Sequence, residues 1–137
     1  MDEATFDEIG QGERRLYGPR KLLAVGLDDQ EQAHLLGLAD GLGDLPVVFA
    51  LDQDRGETVG ALLAQPHSQA AGGRTDLGRA VIMSGLGERE LHLLMAAYHA
   101  LTPVRPLWAT LTPTSLNWRL EDLMVELAAE RARMEGA

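Results

Sequence analysis

The sequence predicts an α/β fold: a single small three-layer α/β/α domain, with a four-stranded parallel sheet between helices. Two observations carry that expectation. Short apolar runs that do not alternate with charge recur along the chain, as strands covered on both faces do. Each run leads into a stretch with apolar residues three and four apart, the period of a helix lying on a sheet. Strands and helices in alternation indicate a parallel sheet with right-handed crossovers. The expected strand order is 2-1-3-4, a truncated flavodoxin-like sheet, with 3-2-1-4 as the alternative. In the first order the first and last helices share one face and the middle two share the other. The sequence shows no internal repeat and no second domain.

Residues 1–19 carry Asp2, Glu3, Asp7, Glu8 and Glu13 with little apolar patterning, so an acidic, mobile N-terminal tail is expected, ending at Gly18-Pro19. Residues 20–137 are the expected domain. Leu22 to Leu27 reads as the first strand. Asp28-Asp29 with Glu31 is a helix-start pattern, and Leu35, Leu38, Ala39 and Leu42 supply an apolar face that Gly41 and Gly43 end. Leu45 to Leu51 is the second strand; Asp52, Asp54 and Gly56 form a turn; Thr58 to Gln65 is a short helix with Val59, Leu62 and Leu63 inward. Pro66 to Gly78 is a long loop. Arg79 to Met83 is the third strand, and Glu88 to Leu101 a helix with Leu91, Leu94, Met95 and Tyr98 on one face.

The last third is the best-signalled stretch. Leu107 to Leu111 is apolar and fenced by Pro103 and Pro106, as a buried strand would be. Thr112 can cap a turn begun by Pro113, and Asn117 is a second cap candidate, with Glu121 and Asp122 where a helix dipole favours negative charge. Leu116, Leu120, Leu123 and Leu127 then fall on one stripe, expected to be core.

Thr110-Leu111-Thr112-Pro113-Thr114, followed by Asn117-Trp118-x-Leu120-x-x-Leu123-x-x-Glu126-Leu127-x-x-Glu130, resembles the C-terminal signature of a family of small bacterial and archaeal proteins. That family is catalogued as domain of unknown function 3783. Ser84-Gly85-Leu86 followed by Glu90-Leu91 resembles it as well, so the resemblance covers the second half of the chain. It implies no established activity, ligand or catalytic residue.

Composition narrows the function classes. The 137 residues are 45% apolar and carry a formal charge of −9, which disfavours nucleic acid and anionic membrane as partners. Absence of cysteine excludes disulfides and thiolate metal sites. No leader pattern and no membrane-length apolar run are seen, so a cytoplasmic location is expected.

In an open parallel sheet, ligands bind beyond the carboxyl ends of the strands. Those ends supply Asp28 and Asp29, Asp52 and Asp54, Ser84 and Gly85, and the group Thr110, Thr112, Thr114, Ser115, Asn117 and Trp118. The aspartates after the first strand resemble the Mg²⁺-binding end of phospho-receiver domains. The rest of that pattern is missing: Ser84 ends the third strand, and the one lysine is Lys21. His92 and His99 stand seven apart on one helix, too far for one metal to bridge, and no metal or cofactor is expected. Ser84-Gly85 lacks the glycine frame of a hydrolase nucleophile, with Ile82 at the first glycine position. The expected function is a non-catalytic interaction or regulatory domain that self-associates as a homodimer through a helix face or an edge strand. The alternative is a binding domain or small enzyme holding an anionic ligand with Ser84, Gly85, Thr110, Thr112, Thr114, Ser115, Asn117 and Trp118.

Overall fold

A computed structural model describes residues 14–67 and 75–136 of the chain. Its elements are β1 (Lys21–Val25), α1 (Asp29–Gly41), β2 (Val47–Phe49), α2 (Val59–Leu63), β3 (Ala80–Ser84), α3 (Glu88–Leu101), β4 (Leu107–Thr110) and α4 (Leu120–Gly136). Short 3₁₀ turns, Asp52–Asp54 and Ser115–Asn117, precede α2 and α4. The sheet order is β2-β1-β3-β4, as expected. The sheet is mixed, however, which corrects the all-parallel expectation. β1 pairs with β2 in parallel and β3 with β4 in parallel, while β1 and β3 run antiparallel.

The connection from α2 to β3 explains the reversal. α2 returns the chain to the start of β1, where the Lys21 ammonium donates to the Leu63 and Gln65 carbonyls. A parallel β3 would begin there. Instead His67 lies beside Val47, at the start of β2, and the Thr75 hydroxyl donates to Asp52, beyond the end of β2. The connection therefore starts at one end of the sheet and finishes at the other, and β3 sets off in the opposite sense.

The two halves are related by a pseudo-two-fold axis perpendicular to the sheet, a repeat that the sequence does not display. Leu23 faces Ile82, 59 residues later, and the pairs on either side run Lys21 to Ser84 and Val25 to Ala80, so the axis passes through the Leu23–Ile82 pair. Each half is a strand, crossover helix, strand, 3₁₀ turn and helix. A two-fold axis normal to the sheet keeps each helix on its own face. Hence α1 and α3 cover one face and α2 and α4 the other, not the first with the last. The first face buries Leu35 and Ala39 with Leu94 and Tyr98; the second buries Val59 and Leu62 with Leu120, Leu123 and Met124.

Contacts between the halves repeat the symmetry. Arg79, just before β3, binds the Glu31 carboxylate through Nε at 2.9 and 3.0 Å, and Arg20, just before β1, binds Glu90. Glu31 and Glu90 each also accept an N–H at the start of their own helix, from Asp28 and Gly87. The loops after β1 and β3 turn at Gly26 (φ 71°) and Gly85 (φ 69°), in the left-handed region that favours glycine. At both, a side chain would strike backbone: the Gly78 carbonyl at Gly26 and the Gly18 carbonyl at Gly85. On the other face Val59 N–H donates to the Trp118 carbonyl at 2.9 Å and Leu120 N–H to the Glu57 carbonyl at 2.8 Å.

Residues 14–19, assigned from sequence to the tail, lie against the start of α3: Leu16 N–H donates to Leu86, Gly85 N–H to Tyr17 and Glu88 N–H to Arg14. The remainder of the expected tail, residues 1–13, lies outside the described residues.

Tyr98 is fully buried and its hydroxyl has no partner among the described residues. Burial, with the nearby Glu31 charge, pushes its pKa up to about 12. An unpaired buried hydroxyl costs free energy that its removal recovers. Tyr98→Phe should therefore hold or raise stability, by up to about 1 kcal/mol; a denaturation midpoint clearly below the parent's would show that the hydroxyl is bonded.

Candidate functional site

The carboxyl ends of the strands do not share one rim. With β3 and β4 reversed, Asp28, Asp29, Asp52 and Asp54 lie at one end of the sheet, and Ser84, Gly85 and the Thr110–Trp118 group at the other. Three of these aspartates have local partners. Asp28 accepts the Glu31 N–H at 2.8 Å as the cap of α1, Asp54 accepts the Leu51 N–H at 2.8 Å, and Asp52 pairs with Arg55 at 2.8 Å.

At the opposite end the predicted group divides again. Ser84 is fully buried; its hydroxyl has no partner among the described residues and lies against Gly18. Gly85 is covered too, its carbonyl accepting the Arg15 guanidinium at 3.1 Å. Neither lines a cavity that the second group shares.

Thr110, Thr112, Thr114, Ser115 and Trp118 do come together. They line an open cleft of about 440 Å³ between the edge of β4 and helix α4. Its floor is apolar, made of Ile82, Ala109, Leu123 and Leu127. Asn117 lies outside the lining and donates to the Pro113 carbonyl at 3.5 Å. Sequence reading missed the far wall, Glu126 and Glu130, although both belong to the resemblance motif. Each stands three residues after a leucine of the stripe, Leu123 and Leu127, which places both on the same helix side, and that was the available signal.

The hydroxyl turn stabilises itself. Thr112 Oγ1 accepts the Ser115 N–H at 3.0 Å, and Ser115 Oγ accepts the Thr112 N–H at 3.0 Å. Thr112 thus caps the single turn that Pro113 begins, as its position before proline suggested. Thr110 and Thr114 are exposed and contribute to the cleft lining. Helix α4 starts at Leu120, so Asn117, the second cap candidate, lies in the preceding 3₁₀ turn and does not cap the helix, whose first amides are occupied: Leu120 N–H donates to Glu57 and Glu121 N–H to Arg55, the latter at 3.0 Å. Those carbonyls from the first half take the place of a side-chain cap.

β4 is an edge strand, half-exposed rather than covered on both faces as its apolar run suggested. Leu107 N–H donates to Arg79 and Leu111 N–H to Met83, so in a parallel ladder the odd-numbered residues face β3. The N–H and C=O groups of Trp108 and Thr110 then point out of the sheet. Among the described residues those N–H groups have no partner, the exposed-edge condition that invites another strand.

Trp108 turns its ring to the α3 face, edge-on to Tyr98 with centroids 5.6 Å apart, and its Nε1 donates to His99 Nε2 at 2.9 Å. His99 must be neutral at that nitrogen to accept. Burial, and then the Arg105 charge, hold its pKa below the ordinary 6.5. The unfolded chain therefore binds a proton below about pH 6.5 that the folded chain refuses. Stability should be flat above that pH and fall as the pH drops from it toward the folded value. Urea midpoints at pH 7.5 and 5.5, for the parent and His99→Gln, check this; an equal decline in both would remove His99 as the cause.

Among the described residues no group of three or more His, Asp or Glu side chains could hold a metal ion, and no helix is long and apolar enough to cross a membrane. Residues 79–134 match the family model described as domain of unknown function (DUF3783), which starts one residue before β3 and ends within α4. The match thus spans the second of the two symmetric halves. No curated protein and no solved structure matches the chain.

Proposed function

We propose, with residues 79–134 a DUF3783 domain as the premise, that the protein is a non-catalytic interaction domain whose working surface is the edge of β4 beside helix α4. The observation that carries this reading is the outward-facing backbone of Trp108 and Thr110 next to a cleft with an apolar floor. An extended segment laid there would gain main-chain hydrogen bonds from the strand and side-chain contacts from the cleft, the mode known as strand addition. The alternative, an anionic small molecule held by Thr110 and Thr114, meets Glu126 and Glu130 on the opposite wall, and the charge there opposes it.

Thr110→Pro tests the proposal. Proline removes an N–H that points away from the sheet, so the ladder to β3 stays intact. The melting temperature should change little. Peptides selected from a displayed random library against the parent protein should lose at least about tenfold in affinity for the variant, about 1.4 kcal/mol. Selected peptides that bind both forms equally would refute the reading, as would turnover of any substrate that depends on Thr112 or Ser84.

A further inference from the structure

We infer that the occupant of the β4 groove is an extended segment of another protein in which lysine or arginine alternates with apolar residues. The inference rests on the interaction reading above and adds the chemistry of the partner.

The pseudo-two-fold axis supplies the first step. Val47 pairs with Leu22, and Trp108 with Val81, so Val47 and Trp108 hold equivalent places on the two edges of the sheet, as do Phe49 and Thr110. At the β2 edge the outward N–H of Val47 is not left open. It donates to His67 Nδ1 at 3.0 Å, from the chain that turns back after α2. In the second half the corresponding turn-back is missing among the described residues. Where α2 ends at Leu63, α4 runs on to Gly136. The molecule thus closes one edge with its own chain, and the same place on the other edge is an open groove.

The groove's lining then selects the occupant. Side chains of an added strand alternate between the two faces of the sheet. Those on the α4 side would enter a cleft whose charged lining residues are both carboxylates, Glu126 and Glu130. Glu126 is engaged by Arg133 at 3.3 Å, and Glu130 has no ion pair among the described residues. A long cationic side chain matches this lining: its alkyl stem can lie over Leu123 and Leu127 while its head reaches the carboxylates. An acidic segment would be repelled. A second copy of this chain is disfavoured by the −9 charge that each copy carries.

The peptides selected on the full-length protein also test this inference. Binders that need the Thr110 N–H should be enriched in lysine or arginine at every second position. Their affinity should fall about tenfold or more for the double variant Glu126→Gln/Glu130→Gln, and should weaken with added salt. Thr110→Pro-sensitive binders that ignore the double variant would overturn the cationic assignment and leave the interaction reading standing. Binders that ignore Thr110→Pro, or a selection yielding none, would overturn both. Light scattering that shows a dimer of the parent, dissociated by Thr110→Pro, would assign the groove to a second copy and likewise overturn the inference.

Discussion

Gly26→Ala should destabilise the protein by on the order of 3–5 kcal/mol, enough to unfold much of a marginally stable domain. Two costs combine. A residue with a Cβ pays roughly 1–2 kcal/mol to adopt φ near 71°, as any L-residue does in the left-handed region. The added methyl would also land on the Gly78 carbonyl. That peptide cannot easily move aside. The Arg79 carbonyl that follows it accepts the Leu107 N–H at 2.9 Å, and the Arg79 guanidinium is fixed on Glu31. Gly85→Ala, at the symmetric place, should behave alike. Gly37→Ala is the internal contrast. Gly37 lies in α1 with open space around its Cα, so alanine should stabilise by roughly 0.5–1 kcal/mol. Chemical denaturation of the three variants measures all of this, and a Gly26→Ala midpoint equal to the parent's would refute the steric account.

Leu120→Ala should cost about 2–5 kcal/mol. Leu120 is fully buried at the first residue of α4, packed with Val59 and Leu62 from the other half. Its N–H donates to Glu57, so the helix start is pinned there and the site cannot collapse readily around a cavity. Val125→Ala, on the same helix but 70% exposed, should change stability by less than about 0.5 kcal/mol. Comparable losses in the two variants would mean that the leucine stripe is not the buried face.

Much of this architecture was readable from the residues. Periodicity located the four strands and four helices of the described residues, and the helix expected over Glu88 to Leu101 has those ends. Asp28 and Thr58 cap their helices as their residue types suggest. What could not be read was direction. An apolar run looks the same whichever way it crosses a sheet, and the reversal of β3 depends on where His67 and Thr75 come to rest. The two-fold repeat was hidden for a related reason. It survives in glycines, arginines and capping glutamates at matched positions, while Asp28 is answered by Gly87, Ala39 by Tyr98, and a five-residue helix by one of seventeen. Of the residues singled out for a site, those of the Thr-Pro-Thr turn do meet at one cleft. Ser84 and Gly85 stand at that same end of the sheet, since β3 and β4 are parallel, but Gly18 and Arg15, from residues that read as tail, cover them.

Joining two βαβ units at their inner strands also bears on how the chain folds. Either crossover can assemble from residues close together along the chain, but the central β1–β3 pairing must wait for segments 59 residues apart to meet. Until they do, Leu23 and Ile82 each have a cross-strand neighbour on one side only, Val48 and Ala109, and neither core is closed. The slow, entropy-limited event in folding is therefore the docking of the halves on one another, and a perturbation at that seam slows acquisition of the native state for the whole chain at once.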